Sequence, residues 1–243
     1  MKKKHILIIL TILISNSYNL FSQEKKASWK TKLGFGTYFY TGNTEKFDLV
    51  SDFQVTRKDT LIESNLFLKG SYGEVEKVQN KQEFTGGVKF DYKPLSAFSP
   101  FVVFSFYNNK FKDIELRFSS LLGAKYSFYM TYESDLSVSA AIQYDTERFY
   151  EATPDKEKFR LSIRPRIKQS IGKNMEFAAI LFYQPNVQEF DDYMLVFNTS
   201  LEAKLLEKIS LKLTYNYDYE SMPILETIKK TDTSFITSLV LNF

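Results

Sequence analysis

Cysteine is absent from the 243-residue chain, and the single histidine, His5, lies within its first few residues. No disulfide framework, thiol nucleophile or cysteine-ligated metal is therefore available. Zinc, which proteins hold mainly through Cys and His, is disfavoured as well. Long apolar runs are also scarce: Ile6–Ile14 is too short to span a bilayer as a helix. The mean hydropathy of -0.27 argues against a bundle of transmembrane helices. It does not argue against a barrel, in which polar lumen residues dilute the lipid-facing ones.

The amino-terminus reads as a secretory signal. Lys2, Lys3 and Lys4 form a charged region, Ile6–Ile14 an apolar core, and Ser15–Gln23 a more polar exit. Cleavage near Gln23/Glu24 would remove residues 1–23 and leave 24–243 as a single domain; the alternative is a retained anchor. Three of the 32 Lys+Arg lie in this segment, so the mature chain carries 29 basic residues against 29 Asp+Glu. The apparent basicity belongs to the signal, and no nucleic-acid partner follows. His5 leaves with it.

What is abundant is aromatic: 23 Phe and 16 Tyr beside one Trp. Aromatic residues favour strands, and from Trp29 onward the chain falls into roughly twelve runs of alternating apolar and polar residues, most of about ten residues or more. Glu45–Thr56 sets Phe47, Leu49, Phe53 and Val55 against Asp48, Asp52, Gln54 and Thr56. Thr60–Gly73 sets Ile62, Leu66 and Leu68 against Glu63, Asn65 and Lys69, and Lys81–Lys93 sets Phe84, Val88 and Phe90 against Thr85, Lys89 and Asp91. Ile114–Tyr129 places Glu115 and Arg117 opposite an apolar face that includes Ile114, and Leu136–Glu147 places Asp145 likewise. Lys158–Lys168 is the most basic run, with Arg160, Arg164, Arg166 and Lys168 on one face. Pro165 on its other face removes a ladder donor and predicts a bulge or break. Pro100–Tyr107 is nearly all apolar, and its inner face is ambiguous.

These runs exceed the usual soluble strand of about five or six residues, and their connections alternate between short and long. The fold class expected is all-β: an antiparallel transmembrane β-barrel of about 12 strands with both termini periplasmic. Gly73–Asn80 is read as a long outer loop, Pro94–Ser99 as an unusually long inner one, and Thr41–Thr44 as an unusually short outer one. Aromatic residues near run ends, among them Trp29, Tyr92, Tyr129, Phe149, Tyr193 and Phe243, suggest two interfacial girdles. The closing strand Thr231–Phe243 alternates Phe235, Leu239, Leu241 and Phe243 against Ser234, Ser238 and Asn242. It is expected to turn the first set to lipid and to pair with both the preceding run and Trp29–Tyr40.

Trp29 at the start of the first run, the Thr41-Gly42-Asn43-Thr44 turn, the length and the terminal Phe243 together resemble the YdiY-like "salt-induced outer membrane protein" family. The resemblance implies a bacterial outer-membrane barrel and supplies no settled activity and no catalytic residues. It also implies that Phe243, Leu241, Leu239 and Phe235 form the ending that barrel-assembly machinery reads. Outer-membrane lipid and that machinery are the expected partners.

The missing histidine excludes the Ser–His and Asp–His mechanisms, which need a group titrating near working pH. No enzyme activity and no cofactor are expected, and a histidine-free acid–base pair such as Asp48 with Asp52 ranks below solvated lumen charges. The candidate functional residues are inward charges: Arg160, Arg164, Arg166 and Lys168 from one strand, and Asp48, Asp52, Glu63, Asp91, Glu115 and Asp145 from others. They admit a narrow pore for small anionic solutes. They also admit a lumen closed by mutual ion pairs, since about twelve strands make a narrow interior, in a barrel acting as a structural or adhesion protein through loops such as Arg148–Glu157 and Ser221–Asp232.

Overall fold

The computed structural model describes residues 27–40, 46–131, 133–151, 154–225 and 227–243. Residues 1–23, read as a signal, and the turn expected at Gly42-Asn43-Thr44 lie outside them. Twelve antiparallel strands close on themselves: β1 Ser28–Tyr40, β2 Lys46–Lys58, β3 Ile62–Val75, β4 Val78–Tyr92, β5 Phe98–Asn109, β6 Ile114–Met130, β7 Ser134–Phe149, β8 Lys156–Ile171, β9 Met175–Pro185, β10 Tyr193–Lys204, β11 Ile209–Glu220 and β12 Thr231–Asn242. Each strand pairs with its sequence neighbours, and β12 returns to β1. Closure leaves no free sheet edge where the ladders are complete. The first and last strands begin and finish at one end of the barrel, called here the terminal end; the opposite end is the loop end.

Alternation decides the faces. Phe35, Phe84, Phe104, Phe118, Leu122, Ile142, Phe159, Phe235 and Leu239 stand exposed on the outer wall. Such an apolar belt is what a barrel presents to hydrocarbon. Aromatic pairs mark both rims. Tyr126 and Phe128 meet edge to face at 5.1 Å toward the terminal end, and Tyr193 lies 5.8 Å from Tyr183 and 5.6 Å from Tyr219 at the loop end. Phe149 departs from the girdle expectation: it turns inward and is 6% exposed.

The connections refine the reading of the loops. Gly73–Asn80 is not a loop; β3 and β4 continue to a two-residue turn at Glu76 and Lys77, whose φ values of 51° and 63° match the right-handed strand twist. No Gly or Asn marks that turn, so composition hides it. The connection between β4 and β5 remains long for its end, at Lys93–Ala97. Pro165 introduces no register shift. Instead, ladder pairs to β9 are made at Ile163 and Arg166 but not between them. The break expected there takes the form of missing pairs.

β5 resolves its ambiguity by turning Ser99, Phe101, Val103 and Tyr107 inward. Phe101 and Val103 meet Leu121 and Ala141 in a small apolar cluster inside the barrel. The β5–β8 wall is thus packed, whereas lumen residues of β1–β3 and β10–β12 are mostly half-buried.

Candidate functional site

The lumen near the loop end is a locked polar network. Arg160 on β8 is 0% exposed, as is Asp145 on the neighbouring β7. The Arg160 guanidinium donates from Nη1 to the backbone oxygens of Gln184 (3.1 Å) and Asp192 (3.2 Å), and from Nη2 to Asp192 Oδ1 (3.1 Å). Its Nε lies 3.6 Å from Asp145 Oδ2, a Coulombic contact too long for a hydrogen bond. Gln143 Nε2 donates to both Asp145 oxygens at 2.9 Å, and Gln184 Nε2 donates to Gln143 Oε1 at 2.6 Å. Lys158 reaches Asp192 at 2.9 Å. Burial alone would push the Asp192 carboxyl up; the Lys158 hydrogen bond and the Arg160 charge outweigh it and hold the group below the usual carboxylate range. The network thereby ties the β9–β10 connection down onto the β7–β8 wall.

Two contacts cross the loop-end mouth. Between β5 and β6, Asn109 Oδ1 accepts from the amides of Phe111 and Lys112 at 3.0 Å each, fixing a short 3-10 turn that presents Lys112. Lys112 Nζ meets Asp232 on β12 at 2.8 Å. Burial would lower the Lys112 pKa, and the hydrogen bond and charge of Asp232 reverse this and raise it. Met222, Pro223, Ile224 and Ile228, from the β11–β12 connection, line a cleft with Ile114 and Phe149 of β6 and β7. Ile114 is 3% exposed and faces inward, not outward with Leu116 as alternation suggested. A larger cavity of about 460 Å³ lies beside them, lined by Asp155, Lys156, Glu157, Lys158, Asn186, Glu189 and Asp192 with Met222 and Pro223.

Farther in, the basic run of β8 divides. Arg164 donates from Nε to Ser162 Oγ at 2.8 Å, and its guanidinium sits 5.6 Å from the Phe101 ring and 5.3 Å from the Phe182 ring. Among the described residues no carboxylate lies within 4 Å of it. Arg166 pairs with Asp135 at 2.9 Å and Lys168 with Glu176 at 2.7 Å, toward the terminal end. The four cations share one face and have three different environments.

The predicted acids are placed as follows. Asp48 pairs with Lys46 and Glu63 with Lys58, each at 2.9 Å. Asp91, nearly buried, pairs with Lys89 at 2.7 Å. Asp52 lies against Gly34, where an added Cβ would meet Asp52 Oδ1 at 2.5 Å. Glu115 is a correction: it does not line the lumen. The register shifts between Ile114 and Leu116, and Glu115 pairs at 2.9 Å with Arg148, which is exposed on the outer face. A bulge inserts one residue and moves the side chains beyond it to the other face.

Reasoning from sequence did not find the pairings that span the lumen. Lys32 on β1 meets Glu202 on β10 at 2.9 Å, and Arg117 on β6, paired at 2.6 Å with its ladder neighbour Glu147, reaches across to Met194 Sδ on β10 at 3.7 Å. On β3, Lys69 stands opposite Asp52 in the ladder, shares its inward face and is exposed there. On β11, Lys212 interacts electrostatically with Asp52, Lys69, Lys32 and Glu202. No carboxylate among the described residues lies within 4 Å of Lys69 or Lys212.

The family model described as "Protein of unknown function, DUF481" matches residues 33–243. Comparison with curated protein sequences gives no match. Among solved structures the chain is similar to the COG4313 outer membrane channel from Pseudomonas putida F1, at 12% identity and a TM-score of 0.56, covering 93% of this chain and 98% of that one. It is also similar to KdgM porin, at 14% identity, 89% and 99% coverage and a TM-score of 0.46. A third is the translocator domain of autotransporter NalP from Neisseria meningitidis, at 13% identity, 98% and 95% coverage and a TM-score of 0.47. At these identities the likeness is one of fold, that of outer-membrane barrels. The chain belongs to the DUF481 family, with which the resemblance read from the sequence is compatible.

Proposed function

We propose that this DUF481 family member is an integral outer-membrane barrel that acts as a narrow pore for small anionic solutes. In this reading residues 1–23 direct export, the terminal end is periplasmic, the apolar belt meets outer-membrane lipid, and Phe235, Leu239, Leu241 and Phe243 are read by the barrel-assembly machinery. Neither catalysis nor a cofactor enters it.

One observation carries the reading: Lys69 is exposed inside the barrel, and neither it nor Arg164 has a carboxylate within 4 Å among the described residues. A lumen closed throughout by mutual ion pairs would neutralise such cations. Exposure of an inward side chain supports a water-accessible path along the β1–β3 and β10–β12 wall. Arg164 borders it from the packed wall, five strands from Lys69 in the barrel order. Unpaired cations in a confined lumen attract anions. Single-channel recording in planar bilayers tests this. Discrete steps with anion preference, reduced in Arg164→Glu, are expected; an absence of steps would refute it.

A second reading is favoured by the loop-end mouth, where the β11–β12 connection lies over Ile114 and Phe149 and Lys112 binds Asp232. A barrel closed there would act through its outer loops. Removing residues 222–229 distinguishes the two: conductance appearing only after the deletion assigns closure to that loop.

A further inference from the structure

Inside the barrel, cations and aromatic rings alternate from β4 to β9. Lys89 Nζ on β4 lies 5.1 Å from the centre of the Phe101 ring on β5, and Arg164 Cζ on β8 lies 5.6 Å from the same ring and 5.3 Å from the Phe182 ring on β9. β8 stands between β5 and β9 in the barrel order, so the Arg164 guanidinium is flanked by a ring from either side. Arginine stacks on aromatic rings in this way and keeps its planar fork for hydrogen bonds at the edge. One corner of that fork is spent. Nε donates to Ser162 Oγ at 2.8 Å, and Ser162, 1% exposed, also accepts from Gln184 Nε2 at 3.3 Å. Nη1 and Nη2 have no hydrogen-bond partner among the described residues, and unlike the unpartnered Nε of Arg160 they are not sealed from solvent.

The fork also lacks a counter-charge. Among the described residues no carboxylate lies within 4 Å of it or acts on its charge from farther away. The inward cations around it have partners of their own: Arg160 has Asp192, Arg166 has Asp135 and Lys89 has Asp91. The inward surface beside it is neutral. Ser139 is its ladder partner on β7, and Ile180 and Phe182 on β9 face the lumen half-buried, paired with Asn198 and Val196 on β10. A planar carboxylate can accept from both Nη donors in the plane of the guanidinium. An apolar body on that carboxylate would cover Phe182 and Val196. Chloride cannot span the fork and covers nothing. Phosphate or sulfate brings a second charge, for which this neutral surface offers no cation.

We infer that the Nη edge of Arg164, bounded by Phe182 and Val196, is a binding site for a small monocarboxylate with an apolar body, an aromatic acid above all. The inference deepens the pore reading: it rests on that reading for the route by which the solute arrives, and it names the class of solute. Arg164 holds the carboxylate, and Phe182 discriminates between acids by the apolar surface they bring.

Fluorine NMR line broadening of para-fluorobenzoate, titrated with the full-length protein folded in a nonionic detergent, measures binding directly. Saturable binding beyond that of empty micelles is expected, displaced by benzoate but not by equal concentrations of chloride or of neutral benzamide. Arg164→Gln should weaken it by about tenfold or more, the worth of a hydrogen bond to a charged group. Arg164→Lys keeps the charge, loses the fork and should weaken it too. Phe182→Ala should erase the advantage of benzoate over acetate as competitor. Arg148→Gln makes the same charge change on the outer face and should leave binding as it is. Binding unchanged in Arg164→Gln or Arg164→Lys, or displaced equally by chloride and benzoate, would overturn the site. Because binding requires no ion flow, a barrel that binds through Arg164 but gives no current steps refutes the pore and keeps the site. A conducting barrel that binds no fluorobenzoate refutes the site alone. Heat-modifiable migration confirms the folding of each variant, and the competition by chloride and benzamide decides the matter on unaltered protein should the Arg164 variants fail to assemble.

Discussion

Replacing Arg160 by methionine isolates what the buried network contributes. The substitution removes the guanidinium that contacts Asp145 at 3.6 Å and Asp192 at 3.1 Å, together with its two bonds to backbone oxygens. Asp192 keeps Lys158 at 2.9 Å, but Asp145, with no exposed surface, keeps the Gln143 amide as its hydrogen-bond donor and only the more distant charge of Arg117. Breaking one partner of a buried pair typically costs about 3–5 kcal/mol, because the remaining charge has lost both water and partner. The double variant Arg160→Met with Asp145→Asn removes the stranded charge and should recover most of that loss, leaving about 1–2 kcal/mol for the two lost bonds to backbone oxygens. Urea unfolding of reconstituted barrels, followed by fluorescence of the single Trp29 or by loss of heat-modifiable migration, measures both. A single variant costing under about 1 kcal/mol, or a double variant no better than the single, would show that the buried pair does not hold this wall together.

The other predictions bear on separate parts of the molecule. Asp192 titrates lower in the folded chain than unfolded, so its contribution is present above about pH 4 and lost as pH falls through the folded value. Proteolysis or hydrogen exchange of the β9–β10 connection should rise on acidification below that point, and Asp192→Asn should show the raised rate already at neutral pH. Deleting Phe243 removes both backbone bonds to Thr31 at the shortest ladder; membrane insertion should fall sharply, and normal insertion would show that this residue is dispensable. Gly36→Ala must displace the Thr237 carbonyl, and a cost of about 1–3 kcal/mol in urea unfolding is expected, as for other overpacked sites.

How far sequence reveals this molecule depends on the range of the interaction concerned. The runs Trp29–Tyr40 and Thr231–Phe243 match β1 and β12 to within one residue, and the remaining strands differ by at most a few residues at their ends. A period of two is local, and burial on one face imposes it strongly. Three features escaped because they arise between strands. The bulge at Ile114–Leu116 turned Glu115 out and Ile114 in, with nothing in the composition to announce it. The inner face of β5 was unreadable because Phe101 and Val103 pack within the lumen, making both faces apolar. Lys32 and Glu202 are 170 residues apart, so no spacing rule connects them. The divided fate of Arg160, Arg164, Arg166 and Lys168 has the same origin. Alternation put them on one face, and the partners that distinguish them come from β5, β7, β9 and the β9–β10 connection.

Whether the charged lumen conducts and prefers anions is measured by the reversal potential of single channels across a potassium chloride gradient. A potential displaced toward the chloride equilibrium value, and moved toward the potassium value in Arg164→Glu, is the expected result. Purified, heat-modifiable, membrane-inserted protein that yields no current steps, or a selectivity indifferent to Arg164, would contradict the pore.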